Sequence, residues 1–262
     1  MLGLLTPDDL SFLVQASQRA AMMALQMQPT AASRDKGDGT IVTEADLQVE
    51  RLLRHDLGGR FPGLPILGEE EGRTGGQAGL VFALDPIDGT LSYARGDGHW
   101  AVSVGLLRQG HPVAGVVVAP ALGVTWWAAQ GLGAYRAGRR LTRADTRLHR
   151  HSLVAFTTSA LTRYGPPPAE LGHVRCFGGI ALQLALCADN RVDAAITRYW
   201  SVWDLAGATA VLLEAGGRLL TADGDEVTDL FACPEDADFI AGGPNLRELV
   251  PVPLPRWSGA GS

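Results

Sequence analysis

Cysteine is scarce in this chain of 262 residues, with only Cys176, Cys187 and Cys233. They are odd in number, widely spaced and form no Cys-x-x-Cys pair, so buried, reduced thiols are expected rather than disulfides or a thiolate metal site. The six histidines show no metal-ligand spacing, and His149 and His151 lie in a basic segment that reads as a solvated face. No apolar run approaches the ~20 residues that span a bilayer, and the N-terminus has neither the basic flank nor the cleavage site of a signal peptide. A membrane partner is therefore not expected, and a cytoplasmic location is. The net charge is -6 with no block of Lys or Arg to offset it, which argues against a nucleic-acid partner. There is no internal repeat and no Walker A sequence. Gly131-Leu132-Gly133 lacks the third glycine and the βαβ setting of a dinucleotide site. Ser103, in Ala101-Val102-Ser103-Val104-Gly105, sits inside alternating β sequence rather than at the strand-to-helix turn of a hydrolase elbow.

What the chain does have is acids at the ends of apolar runs. Asp85-Pro86-Ile87-Asp88-Gly89-Thr90 follows Leu80-Val81-Phe82-Ala83-Leu84, a predicted buried strand. Two carboxylates held together at a strand end repel unless protons or cations intervene, and oxygen ligands favour a hard cation such as Mg2+. Gly89 permits a close turn, and Thr90 offers a hydroxyl and an N–H where a helix could start, a place suited to phosphate. A β-turn capped by Asp accounts for the same residues. Leu67-Gly68-Glu69-Glu70-Glu71 puts acids at a second strand end, or forms a solvated turn. Val42-Thr43-Glu44-Ala45-Asp46 and Trp203-Asp204-Leu205-Ala206-Gly207-Ala208 each set an acid in a helical first turn, complementing the dipole or facing a ligand. Their joint occurrence is harder to dismiss than any one of them.

With 46% hydrophobic residues the chain can bury a substantial core, as one large domain or two small ones. Thr6-Pro7-Asp8-Asp9 predicts a helix start, and the helix to about Gln28 carries Met22, Met23 and Met27 as core or interface residues. Arg34 to Thr40 reads as a polar loop. A second helix begins near Thr43, buries Val49, Leu52, Leu53 and Leu57, and stops at Gly58-Gly59. Trp100 to Ala128 reads as an antiparallel meander. From about Leu141 strands and helices alternate, with elements at Leu153 to Phe156, Gly179 to Ala188, Val192 to Ile196, Trp203 to Ala215 and Phe239 to Gly242. The expected division is 1–141, 142–250 and a loose tail, 251–262, with Trp257 docking back. Pro166-Pro167-Pro168 marks an exposed loop.

The four acidic segments, with Glu214-Ala215-Gly216-Gly217 after them, stand in the order of the inositol monophosphatase-like branch of the Mg2+-dependent, lithium-sensitive sugar phosphatases. From about Leu10 to Leu249 the chain resembles that family. The resemblance implies an α/β fold layered α-β-α-β-α, with the metal site between two halves. It implies a Mg2+-dependent phosphomonoesterase acting on a small polyol or sugar phosphate, inositol-1-monophosphatase-like, and a homodimer. One Mg2+ would be held by Glu69, Asp85 and the carbonyl of Ile87, a second by Asp85, Asp88 and Asp204, and a third, weaker ion would share Glu69. Glu70 would support without ligating. Glu69, Thr90 and Asp46 would orient the attacking water, and the N–H groups of Gly89 and Thr90 would hold phosphate. The implied substrate contacts are Asp88, Gly89, Thr90, Gly178, Gly179, Thr197, Arg198 and Asp204.

The acid that inositol monophosphatases commonly carry seven residues before the Trp-Asp aspartate is replaced by Thr197. That weakens a myo-inositol assignment and leaves Arg198 to meet a second anionic group. Arg175 either shapes the same rim or pairs with a local acid. Lys36-Gly37-Asp38-Gly39-Thr40 is similar to the histidinol-phosphate and nucleotide phosphatase branches, whereas Trp100-Ala101-Val102-Ser103-Val104 favours the inositol and fructose-bisphosphate branches. Histidinol-phosphate phosphatase, fructose-1,6-bisphosphatase and 3'-phosphoadenosine nucleotide phosphatase therefore stand as alternatives. A non-catalytic sugar-phosphate sensor is the alternative of another class. Its mark would be a lost metal ligand or a lost Thr90, and neither is lost.

Overall fold

A computed structural model describes residues 5–37, 39–76, 79–167, 170, 172–234 and 236–249; the expected tail and Trp257 lie outside them. Helix α1 (Pro7–Met27) starts on a complete capping box, Thr6 with Asp9, which satisfies donors that the first turn would otherwise leave open. Arg34 and Asp35 are not loop residues: β1 (Ser33–Asp35) pairs antiparallel with β2 (Ile41–Thr43) in a two-stranded ribbon. Helix α2 (Glu44–Arg60) runs through Gly58 and Gly59 rather than stopping there. Tertiary contacts override the glycines: Arg60 reaches Asp9 of α1, and Phe61 packs on Phe12 and Phe82.

The larger sheet has eight strands: β3 (Ile66–Gly68), β4 (Gly72–Thr74), β5 (Leu80–Asp88), β6 (Ala101–Arg108), β7 (His111–Ala119), β8 (Val124–Ala129), β9 (Gly133–Arg136) and β10 (Arg139–Arg140). Their order is β10-β9-β8-β7-β6-β5-β3-β4, with β3 parallel to β5 and a meander from β5 onward. The short helix α3 (Thr90–Ala94) follows β5. The second sheet, in order β12-β11-β13-β15-β14, comprises β11 (Leu153–Phe156), β12 (His173–Cys176), β13 (Ala194–Thr197), β14 (Arg218–Thr221) and β15 (Phe239–Gly242). Helices α4 (Thr158–Tyr164), α5 (Ile180–Ala188), α6 (Val202–Glu214) and α7 (Leu246–Leu249) complete the chain.

The layers are α1 and α2, the large sheet, α5 and α6, the small sheet, then α4 and α7; one apolar core runs from the large sheet through α5 and α6 to the small sheet, and each outer gap has its own. The large sheet is thus covered on both faces, which is why β5, β6 and β7 are apolar almost throughout rather than alternating. In the outer core Tyr93 and Trp100 meet edge to face at 4.9 Å, and the Tyr93 hydroxyl donates to the Ala24 carbonyl. Burial pushes that phenol up to about 12. One expectation fails at the surface: of the three cysteines only Cys187 is fully buried; Met22 is exposed, which removes it from the core.

Candidate active site

Residues three apart on a regular strand face opposite ways. Strand β5 evades this with a bulge: Asp85 pairs with Ser103 but Asp88 with Ala101, so the register slips across Pro86, which has no N–H to give. Both carboxylates thereby face one region, and the proton affinity of Asp85 is raised by burial first and then by Glu69 and Asp88. Asp88 points at the start of α5, where the Leu182 N–H donates to its Oδ2 at 2.8 Å. Burial lifts Asp88 to about 6 despite the backbone donors of Leu182, Ala181 and Ile180. Gly179 is required here because any Cβ would overlap the Asp88 carboxylate, and Gly178 for the same reason against Ser92 and His99. Gly89 turns in the left-handed region at φ +94 directly against Gly178.

Helix α2 supplies a second pair of acids. Asp46 closes a capping box with Thr43, whose N–H and Oγ1 both donate to Oδ2, while Oδ1 accepts from Thr90 Oγ1 at 3.2 Å. The capping role and the site role coexist in one side chain. One turn on, Glu50 is fully buried and accepts from the backbone N–H groups of Glu70 and Glu71, at 2.8 and 2.9 Å, and from Arg54. It thereby folds the acidic turn inward and presents Glu69. Lys36, the only lysine in the chain, donates to Glu69 at 2.9 Å and Glu70 at 2.7 Å.

Asp204 arrives from the other side of the large sheet. Its Oδ2 accepts from the Ser201 N–H at 2.7 Å, closing the capping box of α6. The helix lies unusually close to the strands: a Cβ on Gly105 would clash with Ala206, one on Gly115 with the Gly207 backbone, and one on Gly207 with Ser103. The small residues of Ala206-Gly207 therefore let α6 press onto the sheet and carry Asp204 to Asp85.

The electrostatics of this cluster suit a cation. Asp85 and Asp204 are both raised well above the usual carboxylate range, by burial first and then by neighbouring acids. Glu69 and Asp46 are raised for the same first reason. Oδ1 of Asp85 is buried without a hydrogen-bond partner. Among the described residues no three acidic, His or Cys side chains form a ready-made metal cage. An orphaned carboxylate oxygen amid mutually repelling acids, all oxygen donors, nonetheless fits a hard divalent cation.

The expected substrate rim is less united. Thr197 is fully buried in β13 with its hydroxyl unpartnered, and Arg198 turns to Asp238 at 3.3 Å. Arg175 lines a different cavity, with His99, Arg136 and Arg191. The cleft that contains Lys36, Glu69 and Asp204 has a volume of about 850 Å³. Glu50 escaped sequence reasoning, although it lies four residues after Asp46 and three before Leu53, an acid on the buried stripe of a helix. The motif around Lys36 carries no sign of its pairing with Glu69.

The model of the Inositol monophosphatase family matches residues 8–249. A histidinol-phosphatase of Mycobacterium tuberculosis is 41% identical over 201 residues, 72% of this chain and 77% of that protein. An inositol-1-monophosphatase of Rhizobium meliloti is 33% identical over 235 residues, 84% and 86% of the two chains. Among solved structures, the extragenic suppressor protein suhB of Bartonella henselae superposes with a TM-score of 0.79 at 28% identity, covering 91% of this chain and 95% of that one. The Thermotoga maritima IMPase reaches 0.82 at 24% identity, covering 92% and 94%, and supports the fold.

Proposed function

Because the chain belongs to the inositol monophosphatase family of metal-dependent phosphoric monoester hydrolases, we propose that it cleaves the monoester of a small alcohol with Mg2+ as its cofactor, two or three ions per site. The observation that carries this reading is the buried, unpartnered Oδ1 of Asp85 among repelling carboxylates. Glu69, Asp85, the carbonyl of Ile87, Asp88 and Asp204 would hold the ions. When bound, Mg2+ supplies charge neutralisation at the phosphoryl group and a water of lowered pKa. The protein's own part is orientation. The Thr90 hydroxyl has two acceptors in reach, Asp46 Oδ1 at 3.2 Å and the Ile87 carbonyl at 3.1 Å, and donation to either leaves its lone pairs free to accept from the attacking water and fix its approach, with Glu69 alongside. The N–H groups of Gly89 and Thr90 would bind phosphate oxygens, and the absence of side chains at Gly178 and Gly179 keeps that approach clear.

For the alcohol, the sequence-based expectation is a polyol, with myo-inositol 1-phosphate first. Histidinol phosphate is a second reading, favoured because Thr197 is buried and carries no acid toward a ring of hydroxyls, and because a relative 41% identical bears the name histidinol-phosphatase. A cytoplasmic homodimer completes the reading, to be checked by cell fractionation and by sedimentation. The deciding experiment is phosphate release, with and without Mg2+, from myo-inositol 1-phosphate, histidinol phosphate, fructose 1,6-bisphosphate and 3'-phosphoadenosine nucleotides. Mg2+-dependent turnover concentrated on one ester is expected; no release from any of them would overturn the assignment.

A further inference from the structure

Only 6% of the chain is aromatic, yet Tyr199, Trp200, Trp203 and Phe231 all line the cleft that holds Glu69 and Asp204. Two of these residues are exposed, Tyr199 at 70% and Phe231 at 45%. Tyr199 also occupies the left-handed region, at φ 55, a conformation costing about 1–3 kcal/mol that persists where surrounding structure imposes it and clusters at ligand sites. The imposing contacts are visible. The Arg198 guanidinium, held by Asp238, covers one side of the Tyr199 ring at 4.4 Å. Trp200 is fixed by Phe239 at 4.9 Å and by its indole N–H donating to the Ala237 carbonyl. The turn bearing Phe231 is pinned by Asp229, which accepts from the N–H groups of Phe231 and Ala232.

A polyol entering this wall would need polar partners for each hydroxyl it desolvates. Few are left uncommitted: of the cleft's polar lining, Lys36 is engaged with Glu69 and Glu70, the Ser201 hydroxyl caps α6 and the Trp200 N–H is already used, while beside the cleft Thr197 is buried and Arg198 is engaged with Asp238. A flat ring needs no such partners and gains stacking against rigid aromatic faces. We propose that Tyr199 and Phe231 select phosphate esters whose alcohol carries a planar aromatic group, in preference to polyhydroxylated rings. This rests on the phosphomonoesterase reading and narrows its leaving group.

The test compares the phosphates of 2-phenylethanol and 2-cyclohexylethanol, which share a carbon skeleton and differ in planarity, with myo-inositol 1-phosphate and glycerol 2-phosphate alongside. The wild-type enzyme should favour the phenyl ester over the cyclohexyl ester by about tenfold in kcat/KM, and myo-inositol 1-phosphate should fall below the phenyl ester. Tyr199→Ala and Phe231→Ala should each pull the phenyl to cyclohexyl ratio toward one, while Tyr199→Phe keeps it. Because the ratio is taken within one preparation, partial misfolding of a variant leaves it unaffected. A wild-type ratio near one, a preference for myo-inositol 1-phosphate, or a ratio unaltered in both alanine variants would overturn the inference. Absence of Mg2+-dependent release from all four esters and also from histidinol phosphate, fructose 1,6-bisphosphate and 3'-phosphoadenosine nucleotides would instead strike the phosphomonoesterase reading itself.

Discussion

Asp46 and Glu50 stand one turn apart on α2, both without solvent exposure, and they fasten two separate strips of backbone to the site. Asp46 takes the hydroxyl of Thr90, and Glu50 takes the N–H groups of Glu70 and Glu71. One helix face therefore sets the relative position of Glu69 and Thr90.

Glu50→Gln should show how much of the acidic turn depends on this. It leaves Arg54 buried beside a neutral amide and removes charge from two backbone hydrogen bonds, so a loss of about 3–5 kcal/mol in urea unfolding is expected. Calorimetric Mg2+ affinity should fall with it. Unchanged stability would mean that the turn folds without Glu50.

Thr90→Ala separates water positioning from substrate holding. The variant should lose about 10- to 1,000-fold in kcat with KM little changed, and Thr90→Ser should recover part of the loss. A raised KM at wild-type kcat would reduce Thr90 to a binding group.

Asp85→Asn should move activity and stability in opposite directions. Replacing a buried carboxylate that four other acids repel relieves the cation-free protein, whose Tm should rise. Mg2+-dependent turnover should nearly vanish, as it should for Asp204→Asn. Turnover close to wild type would remove Asp85 from the cation site.

The pH dependence follows with a definite sign. Asp88 is raised to about 6 and Asp85, Asp204 and Glu69 are raised as well, all by burial first. Groups whose folded pKa exceeds the unfolded value, about 4 for these acids, stabilise fully below that value and lose their contribution as pH rises through the folded pKa. Cation-free Tm should therefore fall from about pH 5 to 8. The Tm increase on adding Mg2+ should be larger at pH 8 than at pH 5.5, and a pH-independent increase would contradict the assignment.

Gly207→Ala tests the seam between helix and sheet. The added methyl would stand 2.6 Å from Ser103 Oγ and 2.9 Å from the Val104 carbonyl, costing about 1–3 kcal/mol through overpacking. Because α6 carries Asp204, weaker Mg2+ binding should accompany the loss of stability. A destabilised variant with wild-type Mg2+ affinity would uncouple the seam from the site.

The acidic segments were legible because each combined an apolar run with a chemically expensive residue at its end, and Asp85 and Asp88 do face the same region. Their route there, a bulge at Pro86, left no mark beyond the proline itself. Gly58 and Gly59 misled because a glycine pair ends a helix only when no tertiary contact continues it, and Arg60 and Phe61 do continue it. Gly105, Gly115 and Gly207 were invisible as a contact, since a glycine reads the same whether it serves a turn or a close approach. Thr197 could be seen to lack a charge, but not that its side chain is buried.

The carboxylate of Asp88 is tied to the first N–H groups of α5, and the same helix ends at Asp189, where Arg136, Arg139 and Arg191 gather. At 1.5 Å per residue the nine-residue helix spans roughly 13 Å. It links the Asp88 carboxylate at one end to an arginine cluster at the other. Gly179 leaves the carboxylate in contact with the helix start, so a displacement of Asp88 bears directly on α5. The two ends share a single mechanical coordinate.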